Sequence, residues 1–335
     1  MNVRVIPNAI VLLLLSHCAG GQSLPAQGAD PSRPPIFVAP NTSDAYKQGL
    51  LRRVALAQAA VQQAEAAHAT NVALSKAYVQ LGLWCQNAAQ WDRSEAALAH
   101  AVALLRNPAG PGEDSNADLA IAISQLASLH VMMAKLRESE KEGQEALRIR
   151  LNLGDPLLIA RSQDDLAILY LAKQKYEKSR DMARLAEAEL VRNARATVLD
   201  RVTARITLAE SLCNLKECPS AIPLLKTALE EAKAALLPDD FTVGLSDFLL
   251  GYAYWKIGNI AGAGEYLERG TEEMSRQLGW GHPAYVRALR CYADFLHENR
   301  QVEAARVVER RIKQAEAVVD VHSLKTAQGM FNGSH

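Results

Sequence analysis

Residues 250–270, LGYAYWKIGNIAGAGEYLERG, contain the pattern that decides the fold. A large apolar residue stands next to a small one, a bulky residue follows, and a small, an apolar and another small residue come later. These markers are Leu250-Gly251, Tyr254, Ala263, Leu267 and Gly270. Intervals of three and four residues place side chains on one face of a helix. Gly258-Asn259 breaks the stretch in the middle. The stretch therefore predicts two helices that pack together through small residues.

The same markers recur six times along the chain. The last marker of each copy falls at residues 101, 146, 186, 228, 270 and 312, so the last three intervals are 42 residues each. The sixth copy is looser at its end. One helical hairpin cannot bury its apolar face alone, so neighbouring hairpins stack and share a core. The repeat therefore predicts an all-α protein, a right-handed α-solenoid of about six stacked helical hairpins.

The markers resemble those of tetratricopeptide repeats, whose ordinary period is 34 residues. A period of 42 is similar to the extended repeat of kinesin light chains and their bacterial relatives, which often join repeats through Leu-Gly-x-x-His-Pro. This chain has Leu278-Gly279-Trp280-Gly281-His282-Pro283, with weaker echoes at Leu153-Gly154-Asp155-Pro156 and Leu236-Leu237-Pro238-Asp239. We expect glycine to cap one helix here and proline to begin the next. The resemblance covers about residues 70–315 and implies that the first helices line a concave groove.

The chain divides into five segments. A positive residue, a short Leu-rich run and small residues predict a secretory signal peptide over residues 1–21, and residues 22–42 form a Pro-rich linker. We expect an N-terminal capping helix over residues 43–69, the solenoid over 70–317 and a fraying tail over 318–335. The protein is then exported, either to the periplasm or as a secreted protein. The alternative is a lipoprotein acylated at Cys18, which is the one route to a membrane that the sequence offers.

Composition argues against several functions. Lys plus Arg and Asp plus Glu number 37 each, so no overall field favours nucleic acid. The sequence has no phosphate loop, nucleophile elbow or zinc-protease motif, and its histidines stand singly. Asp164 and Asp165 are adjacent on a helix, so their side chains diverge and do not form a catalytic dyad. We therefore predict no enzyme, no metal and no cofactor.

The cysteines allow two interpretations. Cys85 and Cys291 are read as small buried apolar residues. Cys213 and Cys218 flank a predicted hairpin turn, and a disulfide between them requires the turn to bring their Cα atoms within about 7 Å. The sequence leaves this bridge open.

Groove residues are expected on the side of each first helix that faces away from its partner helix. Phe248, Tyr252 and Trp255 lie on one such face, and Arg287 and Arg290 lie on the next copy. Aromatic and Arg residues dominate binding energies, so this cluster is the predicted partner site, with Arg161 as a further groove residue. The alternative is that the aromatic rings fill the joint between the fifth and sixth repeats.

The fold and these residues predict a non-enzymatic scaffold that binds a partner protein or peptide in a concave helical groove. The step from repeat to binding is an analogy between folds. The alternative function is a structural or assembly subunit of a cell-envelope complex.

Overall fold

The computed structural model describes residues 43–88, 90–106, 115–236, 240–278 and 283–319. In these ranges the chain forms thirteen helices and no strand. They are α1 Ser43–Ala66, α2 Asn71–Asn87, α3 Trp91–Arg106, α4 Asn116–Met132, α5 Leu136–Leu153, α6 Pro156–Ala172, α7 Tyr176–Arg192, α8 Val198–Asn214, α9 Cys218–Ala235, α10 Phe241–Lys256, α11 Ile260–Leu278, α12 Pro283–Glu298 and α13 Val302–Val319.

From α2 onward the helices pair in the order of the six repeats. α2 packs against α3, α4 against α5, α6 against α7, α10 against α11 and α12 against α13. We call the successive pairs hairpins 1 to 6, with α8 and α9 at the place of the fourth copy. The protein is an all-α helical solenoid, which confirms the predicted fold class. None of the described helices is long and apolar enough to cross a membrane.

Contacts divide the chain into two compact units, a division that the repeat pattern does not predict. Among the described residues, the first unit runs from Asp44 to Ser211 and holds α1 to α7 with most of α8. The second unit begins at Leu212 and holds the end of α8 with α9 to α13.

In the first unit, the small markers sit where helices touch. A Cβ atom on Gly82 would lie 2.6 Å from Leu98 Cγ, so α2 approaches α3 as closely as a glycine allows. The hydroxyl of Ser94 donates to the Gly82 carbonyl (2.8 Å), and that of Ser179 donates to the Ala167 carbonyl (2.7 Å). The repeat markers therefore form the seam within each of these hairpins.

In the second unit, α10 and α11 approach each other through glycines in the same way. A Cβ on Gly251 would lie 2.6 Å from the Leu267 nitrogen, and one on Gly270 would lie 2.5 Å from the Phe248 nitrogen. Both would meet backbone atoms, which cannot swing aside. The close approach of α10 and α11 thus depends on these two glycines.

Each hairpin turn is closed in the same way. The backbone N–H five residues after the bulky marker donates to that marker's carbonyl, as in a Schellman motif. The acceptors are Cys85, His130, Tyr170, Leu212, Tyr254 and Leu296, at 2.8 to 2.9 Å. Left-handed residues recur four positions after five of these markers: Ala134, Gln174, Lys216, Gly258 and Arg300. Only one of the five is glycine, so four turns hold a side chain in a conformation that is costly for L-residues.

The turn of hairpin 4 carries a further bond. Cys213 and Cys218 form a disulfide with a Cα–Cα distance of 4.2 Å, which settles the alternative left open by the sequence. Cys85 is fully buried and Cys291 is half-buried.

The joint between hairpins 2 and 3 has the predicted architecture. Gly154 caps α5 in the left-handed conformation (φ 69°), and the Asp155 carboxylate accepts from the Leu157 N–H (3.0 Å) at the start of α6. Pro156 is the first residue of α6. The stronger motif places Pro283 at the start of α12, while Gly279 to His282 lie outside the described residues, as do residues 1–42 and 320–335.

Candidate binding surface on the first helices

The inner face is the side of each first helix that the sequence assigns to a groove. In hairpins 1 and 2 this face is partly accessible, although Ser124 in the middle of its α4 part is buried. Lys76 is exposed, and Val79, Leu83, Ile121 and Ser128 are half-buried. We call these five residues the inner-face strip. It combines apolar side chains with one cation, and it lies entirely in the first unit.

Two side-chain contacts connect α2 and α4 beside the inner-face strip. Lys76 Nζ lies 3.2 Å from Asp118 Oδ2, and the Gln86 side-chain amide donates to Met132 Sδ (3.3 Å). The ion pair is largely exposed, so it orients the two helices more than it stabilises them.

Gln125 is a feature of this face that the sequence analysis missed. It lies four residues after Ile121 and three before Ser128, so it shares their stripe on α4. Its side chain is buried, and neither amide atom has a hydrogen-bond partner among the described residues. A buried amide without partners costs about 1–3 kcal/mol, and at 1% exposure this side chain lies beneath the accessible surface of the face.

Arg161, a predicted groove residue on α6, is engaged in a structural bond. Its guanidinium donates twice to the Asp200 carboxylate of α8, at 2.9 and 2.8 Å. Burial acts to raise the pKa of Asp200, but the bonds from Arg161 and Thr197 outweigh it and lower that pKa. Arg161 is half-buried and tied to the neighbouring repeat rather than free for a partner.

Asp164 and Asp165 face different neighbours, as the sequence predicts. Asp164 is hydrogen-bonded to Thr207 on α8, and burial together with Asp165 raises its pKa to about 8. The Thr207 hydroxyl also donates to the Thr203 carbonyl (3.0 Å), and its bond to Asp164 acts to lower the pKa of Asp164 without outweighing burial. Asp165 lies 3.9 Å from Arg150 of α5, and burial raises its pKa to about 6.

The aromatic stripe of α10 is core, which corrects the main site prediction. Phe248 is 0% exposed and Tyr252 is 8% exposed. Trp255 is half-buried: its ring lies 5.8 Å from the Phe295 ring of α12, and its indole N–H donates to Glu298 (3.0 Å). The stripe therefore fills the joint between hairpins 5 and 6, which is the alternative that the sequence left open.

The two arginines of α12 do not assemble with these rings into an open site. Arg290 is exposed and donates to Glu316 of α13, and Arg287 is half-buried. Arg161 belongs to the first unit and the other five predicted residues belong to the second. Within the described ranges, no group of three or more His, Cys, Asp or Glu side chains is placed to hold a metal ion.

Comparison with known proteins supports the fold. No family model matches the chain, and the search of curated proteins found no relative. Among solved structures, BtubC (BKLC) from P. vanneervenii is 20% identical, with a TM-score of 0.55, and the match covers 69% of this chain and 93% of that one. The apo form of RapI is 14% identical, with a TM-score of 0.53 and coverage of 72% and 83%.

A third structure, a Rap protein complexed with competence and sporulation factor, is 14% identical, with a TM-score of 0.54 and coverage of 74% and 75%. All three are tetratricopeptide-like repeat proteins. At these identities the likeness establishes the fold alone. The chain has a tetratricopeptide-like helical repeat fold, which confirms at this level the resemblance seen in the sequence.

Proposed function

We propose that this protein is a non-catalytic scaffold that binds a partner protein or peptide along the inner-face strip of hairpins 1 and 2. The observation that carries the proposal is a difference in burial between equivalent positions. Val79, Leu83 and Ile121 are half-buried, whereas the equivalent residues of hairpin 5 are buried; these are Phe248, Tyr252 and Leu245, in that order. Partly accessible apolar side chains that lie together on one face favour an interaction site.

The chemistry of the strip supports an extended partner segment. Val79, Leu83 and Ile121 offer apolar contacts, and the ion pair of Lys76 with Asp118 lies at one end. The fold is compatible with such a role, since a Rap protein of similar fold is seen complexed with competence and sporulation factor.

The shifted carboxyl groups support binding over catalysis. Asp164, whose pKa is raised most clearly, is buried and bonded to Thr207, and Asp165 faces Arg150. Strongly shifted groups mark active sites when they face a cleft, but structural networks shift pKa values as well. Here the interaction partners, Thr207 and Arg150, belong to neighbouring helices of the fold.

The test is capture of a partner from an extract of the native source by the purified protein. Leu83→Arg with Ile121→Arg should abolish capture, because two cations replace the apolar contacts. The matched control is Leu151→Arg with Leu185→Arg, which alters equally apolar but exposed residues of α5 and α7. Undiminished capture by the first variant, or equal loss in both, contradicts the proposed site.

We also propose that the protein is exported. The Cys213–Cys218 disulfide supports this, because structural disulfides persist in oxidising compartments. The N-terminal sequence of the mature protein tests it: a start near residue 21 is expected, and an intact Met1 on protein from the cytoplasm contradicts it.

A further inference from the structure

His130 stands where other repeats place an apolar or aromatic residue. The equivalent residues are Tyr170 in hairpin 3 and Tyr254 in hairpin 5. His130 is 5% exposed, so its ring is inside the protein. A buried imidazole at a packing position needs partners for both of its ring nitrogens.

Both nitrogens face carboxylates on different helices. Nδ1 lies 2.7 Å from Glu142 Oε2 on α5, and Nε2 lies 3.1 Å from Glu95 Oε1 on α3. A neutral imidazole has one N–H and would leave its second nitrogen lone pair against a carboxylate oxygen. Only the imidazolium donates to both, so this geometry selects the charged ring.

The surrounding charges agree with this protonation state. Lys135, in the turn of hairpin 2, donates to both oxygens of Glu95 at 2.7 Å. α2 and α6 also pack against α4, but no ion pair joins either helix to the ring within the described ranges. Burial acts to lower the pKa of His130, yet the bonds to Glu142 and Glu95 outweigh it and raise that pKa above the ordinary 6.5.

We propose that His130 is a pH-sensitive clamp that holds hairpin 1 on hairpin 2 as an imidazolium and loosens that contact when the ring loses its proton. Glu95 is the residue through which the clamp crosses between hairpins, because it belongs to α3 while His130 and Glu142 belong to hairpin 2. The apolar packing of Leu98 and Val102 with Ile123 and the bond from Lys135 to Glu95 do not depend on the ring proton, so deprotonation weakens the contact without abolishing it. Release is thus a local opening of α2 and α3 rather than global unfolding.

The sign of the pH dependence follows from linkage. A folded-state pKa above the unfolded value gives stability that is fully present below about pH 6.5 and is lost as pH rises through the folded pKa. One proton is involved, so the opening equilibrium increases by at most about tenfold per pH unit between the unfolded and the folded pKa and is level above the folded one.

Hydrogen exchange of the full chain between about pH 5.5 and 8.5 tests the clamp. Protection factors, which are corrected for the intrinsic pH dependence of exchange, should fall with pH for α2 and α3 and stay level for α6 and α7. His130→Phe should make the α2 and α3 profile flat. If that variant does not fold, Glu142→Gln removes one anion and should move the fall to lower pH.

His297→Phe is the matched control. His297 also bonds a glutamate twelve residues ahead, Glu309 (2.8 Å), but it is exposed and has a single carboxylate partner. This variant should leave the α2 and α3 profile unchanged. A wild-type profile that is flat above pH 6.5, or a fall that persists in His130→Phe, overturns the proposal.

Discussion

Gly264 and Gly270 lie six residues apart on α11, and alanine at each is predicted to change stability differently. A Cβ on Gly264 would lie 3.6 Å from Phe295 Cε1, which is an ordinary van der Waals contact. A Cβ on Gly270 would lie 2.5 Å from the Phe248 nitrogen and 2.7 Å from its Cα. The first site has room for a methyl group, and the second does not.

Both variants share one stabilising contribution, and only Gly270→Ala has a second, destabilising one. Replacing glycine by alanine inside a helix stabilises it by about 1 kcal/mol. At Gly270 the inserted methyl meets backbone, and overpacking of a well-packed interior costs about 1–3 kcal/mol. We expect Gly264→Ala to raise the free energy of unfolding by about 1 kcal/mol. The free energy of unfolding of Gly270→Ala should be lower than that of Gly264→Ala by the cost of overpacking, about 1–3 kcal/mol.

Urea denaturation followed by far-UV circular dichroism measures the difference. The two variants share host, helix and substitution, so the difference between their midpoints isolates the packing term. Equal midpoints, or a Gly270→Ala variant more stable than Gly264→Ala, would refute the claim that glycine is required for α10 and α11 to approach.

Three further predictions follow from the packing, the turns and the buried acid. Leu in place of the fully buried Ala186 or Ala228 should lower the melting temperature more than Leu at the exposed Ala234, and equal values would contradict the repeat register. Ala134→Gly should stabilise and Gly258→Ala destabilise by about 1 kcal/mol each in denaturant titrations, because both positions are left-handed; unchanged midpoints would argue against that backbone. Because the folded pKa of Asp164 is about 8 and its ordinary value is 3.8, its protonated form stabilises the fold and that stability falls as pH rises through this window. Asp164→Asn should therefore gain stability relative to wild type as pH increases, and a gap independent of pH would count against a neutral Asp164.

The repeat could be predicted from the sequence because its markers are the residues that make helix contacts. Small residues such as Gly82 and Gly270 have one physical role, the close approach of two backbones, and their spacing gives the register. The left-handed turn residues could not be predicted, since Ala134, Gln174, Lys216 and Arg300 carry no signature of that conformation. Tertiary packing holds them there.

The burial of the aromatic residues of α10 could not be predicted from the sequence, for a physical reason. Three aromatic rings at helical spacing look the same whether the next helix covers them or leaves them open. The missing information was how α12 packs on α10, which Trp255 and Phe295 decide. One signal was available: complementary residues about one repeat apart, such as Arg161 with Asp200, predict contacts between neighbouring first helices.

A photo-crosslinking residue at position 83 gives the sharpest test of partner binding, since Leu83 lies at the C-terminal end of the α2 part of the inner-face strip. The same residue at position 151, on the exposed surface of α5, reports on the opposite side of a hairpin. We expect a defined crosslinked partner from position 83 and none from position 151. Crosslinks from position 151 alone, with the partner still bound, would contradict it.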